Sequence, residues 1–76
     1  MVIAGLVVQL LPQNEAAVLA AIAQVPGATY ENTPAPGHAV VVLQAEDERS
    51  AEERLKELQA ISGVLGVYPA YIHSEV

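Results

Sequence analysis

Cysteine, tryptophan and phenylalanine are absent from this chain, and only Arg49, Arg54 and Lys56 carry a fixed positive charge. Without cysteine there are no disulfides and no thiolate metal sites, which suits a reducing compartment. Nine carboxylates against three cations leave a formal net charge of -6. Gripping a phosphate backbone needs lysine and arginine spread over a surface, so this charge argues against nucleic acid and favours a basic partner. No apolar run reaches the roughly 20 residues that cross a bilayer, so stable membrane insertion is not expected. The opening run VIAGLVVQLL lacks the basic residues and cleavage site of a secretory signal, which points to mature structure and a cytoplasmic location. Seventy-six residues make one domain, residues 1–76, too small to enclose an active-site cavity.

The opening run is also the most informative stretch. A strand exposed on one side alternates apolar and polar residues, whereas Val2 to Leu11 is apolar on both parities and broken only by Gln9. His38 to Ala45 (HAVVVLQA) repeats the pattern, with Gln44 as its polar residue. Both strands want cover above and below, which places them side by side in the middle of a sheet.

Two helices separate the strands. After Pro12, Asn14 is placed to cap a helix in which Val18, Ile22 and Val25 share one face, and Pro26-Gly27 stops it. Ser50-Ala51-Glu52-Glu53 has the form of a capping box, ahead of a stripe of Ala51, Leu55, Leu58 and Ile61 that ends at Ser62-Gly63. Ala28 to Thr33 reads as a polar edge strand, and Pro34-Ala35-Pro36-Gly37 as a turn. Val64 to His73 is the last strand, and Pro69, which cannot donate a ladder hydrogen bond, assigns it to an edge. Strand, helix, glycine stop and strand, written twice, predict a ferredoxin-like α+β fold. Its form is βαββαβ, a four-stranded antiparallel sheet of order 4-1-3-2 with both helices on one face.

Two helices can cover only one face of that sheet. With the glutamines turned outward, the other face collects Ile3, Gly5, Val7 and Gln9, Val40, Val42 and Gln44, and Thr29 and Glu31 from the second strand. The last strand adds Tyr68, Ala70 and Ile72, with Val67 and Tyr71 turned inward. About 400 Å² of such a strip contributes about 10 kcal/mol when buried, before the losses of ordering and rigid-body freedom. Val7, Gln9, Glu31, Val40, Val42, Gln44, Tyr68, Ala70 and Ile72 are therefore the candidate binding residues.

The charges on the second helix, Glu52, Glu53 and Glu57 interleaved with Arg54 and Lys56, read as an ordinary solvent face. His38 follows a turn, and His38 and His73 lack the spacing of a metal site. There is no nucleophile beside a base, no glycine-rich phosphate loop and no carboxylate pair in a cleft. No enzyme activity, cofactor or metal is expected.

The segments GLVVQL, VPGATY, GHAVVVLQAED and SGVLGVYPAYIHSE resemble those of NapD-type proteins, in order and spacing along nearly the whole chain. These are small cytoplasmic assembly chaperones for the catalytic subunit of periplasmic nitrate reductase. The resemblance implies a chaperone that binds the twin-arginine signal peptide of the reductase precursor and delays export until the molybdenum cofactor is inserted. In that family a tyrosine is followed directly by a histidine near the C-terminus, whereas Ile72 here separates Tyr71 from His73, so no role is carried over to His73. Taken alone, a bare apolar sheet face serves homodimers more often than peptides. A dimeric ferredoxin-like ligand-sensing or regulatory domain is the alternative, and a homodimer through the sheet stays open.

Overall fold

The structure, a computed structural model, describes the backbone of residues 1–74 and the side chains of residues 1–71. Strand β1 (Val2–Leu10) leads through a single 3-10 turn (Pro12–Asn14) into helix α1 (Glu15–Ile22). Strands β2 (Ala28–Ala35) and β3 (His38–Ala45), helix α2 (Glu48–Gln59) and strand β4 (Val64–Ser74) follow. The sheet order is β2-β3-β1-β4 and every neighbouring pair is antiparallel. This is the expected ferredoxin-like arrangement, with the two most apolar strands in the centre.

One parity of each central strand builds the core. Ala4, Leu6, Val8 and Leu10 of β1 and Ala39, Val41 and Leu43 of β3 pack with Val18 and Ile22 of α1, Leu58 of α2 and Val67 of β4. No polar or charged side chain is buried among the described residues, so the inner layer is held by apolar contact and backbone ladders. No described helix is long and apolar enough to cross a membrane.

Both helix starts differ from expectation. The chain enters α1 through the 3-10 turn, and the Asn14 side chain makes no capping hydrogen bond. Helix α2 begins two residues before Ser50, at Glu48. Asp47 is its cap, accepting the Ser50 backbone N–H at 2.8 Å, and Ser50 is the third helical residue. The residue order Asp-x-x-Ser puts a charged acceptor at the positive helix end, within reach of the Ser50 backbone N–H. The hairpin turn is also tighter than the four residues expected. β2 runs on through Pro34, which an edge strand tolerates, and Ala35 pairs with His38 across Pro36-Gly37 alone.

The Ser50 backbone N–H, then the Ser50 side chain, hold the Asp47 carboxyl below its ordinary range, with smaller help from Arg49 and the N-terminal amine. A depressed folded value means that the cap stabilises fully above the unfolded value of about 3.9 and is lost as pH falls through the folded one. Asp47→Asn keeps an oxygen acceptor but no charge. Wild type is therefore expected to be the more stable at pH 7 in urea unfolding, with the difference shrinking by pH 3. An unchanged difference would remove the ionised cap from the account.

Candidate functional site

The face turned away from the helices forms four rows across the sheet, set by the strand registers. The first holds Gln44 and Ile3, with His73 of β4 opposite Ile3 in the ladder. The second holds Thr29, Val42, Gly5 and Tyr71, and the third Asn32, Val40, Val7 and Tyr68. The fourth holds His38, Gln9 and Gly66. Ile3, Val7, Gln9, His38, Val40 and Val42 are half-buried by their sheet neighbours, while Thr29, Asn32, Gln44, Tyr68 and Tyr71 are exposed. No described helix covers these rows.

Val7, Gln9, Val40, Val42, Gln44 and Tyr68 thus share one surface, as their parity requires. Three other candidates stand differently, because β2 and β4 carry bulges. Glu31 falls between the Tyr30–Val41 and Asn32–Val40 pairs and faces no residue of β3, so Asn32 takes the place assigned to it. Ala70 is the extra residue where the β1–β4 register shifts between Leu6–Pro69 and Gly5–Tyr71, and it has no partner in β1. Ile72 pairs with Ala4 along the backbone, but its side chain lies outside the described residues.

The same bulge overturns the inward assignment of Tyr71. Beyond Ala70 the alternation restarts one residue later, and the tyrosine opposes Gly5 on the outer face. Its ring occupies the space a Gly5 Cβ would need. Tyr68 folds back over Gly66 in the same way, its hydroxyl oxygen 2.6 Å from where a Cβ would stand. A glycine in a central strand marks a close approach of this kind, and Gly5 was the signal available in the sequence for Tyr71.

The rows are uncharged. Every Asp, Glu, Lys and Arg among the described residues lies off them: Glu46 and Asp47 follow β3, Glu15 opens α1, Glu31 sits in the bulge of the edge strand, and the rest belong to α2. The exposed Arg54–Glu57 pair at 2.7 Å lies within α2 and adds little to stability. His38 is anchored locally, its Nδ1 3.3 Å from the Pro36 carbonyl oxygen. Among the described residues no group of three His, Cys, Asp or Glu is placed to hold a metal.

On the helix layer, a recess of about 270 Å³ opens beside α2, apolar apart from Glu48 and Glu52, with no serine, threonine or histidine among its described lining residues. It offers no nucleophile. What the molecule presents is a broad, half-apolar face without Asp, Glu, Lys or Arg among its described residues, with two tyrosines along its β4 side.

The family model for the NapD protein matches residues 1–76. No curated protein sequence matches the chain significantly. Among solved structures, the solution structure of the E. coli Tat proofreading chaperone protein NapD superimposes with a TM-score of 0.85 at 25% identity, covering 97% of this chain and 78% of that one.

Proposed function

Because this chain belongs to the NapD family, a family of chaperones and not of enzymes, we propose that its bare sheet face binds the twin-arginine signal peptide of a nitrate reductase precursor. The protein works in the cytoplasm as a Tat proofreading chaperone, holding back export until the molybdenum cofactor is in place. The observation that carries this reading is the four-row face, half-apolar, uncharged and uncovered by the described helices. A signal peptide supplies the matching chemistry, an apolar segment to lie on the floor and a cationic end drawn in by the net charge of -6.

The peptide lies across the sheet as a helix. Addition as a fifth strand needs a regular, unpaired edge. Edge β2 carries two register shifts and Pro34, and edge β4 carries two register shifts and Pro69, all devices that blunt edge pairing. Helix-in-groove recognition uses anchors at i, i+3, i+4 and i+7, and the rows of valines suit that spacing.

A homodimer through the same face would bring one charge of -6 against another, which opposes association at low salt. Calorimetric titration of the cognate twin-arginine peptide is expected to give micromolar affinity or better, with the free protein monomeric by light scattering. No heat at high peptide concentration would overturn the reading. A concentration-independent dimer would point instead to a regulatory domain.

A further inference from the structure

We propose that Tyr68 and Tyr71 form the guanidinium-binding element of the sheet face, so that one arginine of the bound peptide stacks on a tyrosine ring instead of pairing with a carboxylate. The inference rests on the peptide-binding reading above and adds to it the residues that select the cation.

The three tyrosines of this chain fall into two kinds. Tyr30 opposes the buried Val41 on the helix side of the sheet, and its hydroxyl lies 2.6 Å from Thr33 Oγ1. Tyr68 and Tyr71 are on the outer face, 56% and 55% exposed. No hydrogen bond to a described residue engages either hydroxyl. Each ring is seated on a glycine, Tyr71 on Gly5 and Tyr68 on Gly66, so neither stands free in solvent with its full rotamer entropy. Pre-seated rings lose little freedom when a ligand stacks on them.

The face offers a cation little else. It carries no carboxylate among its described residues, and Asp47, in the turn after β3, is already engaged. Asp47 accepts the Ser50 N–H, and Arg49 and the N-terminal amine act on it. A guanidinium above an apolar floor is best met by an aromatic face, on which its weakly hydrated plane stacks. Tyr68 and Tyr71 stand in successive rows of one strand, about 7 Å apart by strand geometry. Adjacent arginines of a helix diverge and do not share a face, so one arginine meets the rings and its neighbour points toward the rim.

The test is a double-mutant cycle by calorimetry, using the full chain. Tyr71→Leu and Tyr68→Leu are measured against the twin-arginine peptide and against peptides in which each arginine in turn is glutamine. At least one leucine variant is expected to weaken the native peptide about three- to thirtyfold. Against the peptide lacking the stacked arginine, the same variant should change affinity less than about twofold. Tyr→Phe at the same position keeps native affinity, because the hydroxyl is unused. Equal losses against all peptides would reduce the tyrosines to apolar contacts and overturn the inference while peptide binding stands. Loss on Tyr→Phe would likewise overturn it, by showing that the hydroxyl acts. If wild type binds no peptide, the functional reading fails and this inference fails with it. Should Tyr71→Leu uncover Gly5 and disturb the sheet, the Tyr68 cycle and the Tyr71→Phe variant still decide.

Discussion

Val40→Glu is expected to abolish peptide binding and leave the domain folded, whereas Val41→Glu, its neighbour in the same strand, should unfold it. The two side chains point to opposite faces of β3. Val40 lies half-buried in the outer row between Asn32 and Val7, two strands from Tyr68. In the free protein a glutamate there reaches water, and the cost is the lost cross-strand packing, about 1 kcal/mol or less. With a peptide docked, the same carboxylate is trapped against an apolar segment without a partner. A penalty of about 3 kcal/mol or more corresponds to an affinity loss greater than about a hundredfold.

Val41 has no solvent exposure and sits opposite Leu6 within the core. A carboxylate there forfeits about 1.5–3 kcal/mol of valine burial and adds several more for an unpaired polar group. A domain of this size holds only about 4–11 kcal/mol in all. Circular dichroism and calorimetry on the two variants check the pair. If Val40→Glu also unfolds, the outer face is not the open one.

The second large effect falls on stability alone. Gly27→Ala is expected to destabilise the domain by about 2–4 kcal/mol, a fall in Tm of about 10–25 °C for a chain of this size. Gly27 ends the loop after α1 with φ of +81°, a backbone region that alanine enters only under strain. An added Cβ would also run into the Gln44 carbonyl oxygen. That oxygen cannot retreat easily, because the Gln44 N–H donates to the Gly27 carbonyl at 2.9 Å and ties the two segments together. Urea unfolding should show a lower midpoint at unchanged slope. Gly66→Ala is the control. There the obstruction is the end of the Tyr68 side chain, which can swing aside, and the loss should stay below about 1 kcal/mol. Equal losses at the two positions would mean that the Gln44 contact does not matter.

Much of the molecule was legible in one dimension. The two-sided apolarity of β1 and β3 located the sheet's centre, and Pro69 located an edge. The stripe of Leu55 and Leu58 oriented α2, and two helices against four strands required one face to stay bare. Those are properties of periodicity, and periodicity survives translation from chain to fold because side chains alternate with fixed period along a strand and a helix.

What the chain by itself left open was where the period breaks. The outward row gained Asn32 in place of Glu31, and Tyr71 against its expected inward direction, because β2 takes in an extra residue at Glu31 and β4 one at Ala70 against a straighter partner. Proline at 69 and glycine at 5 hint that something irregular happens nearby. Which residue becomes the extra one depends on the ladder to β1 or β3, a pairing between segments distant in sequence. The amino-acid order therefore determined that an open apolar face exists, and the packing of one strand on another decided which tyrosines stand on it.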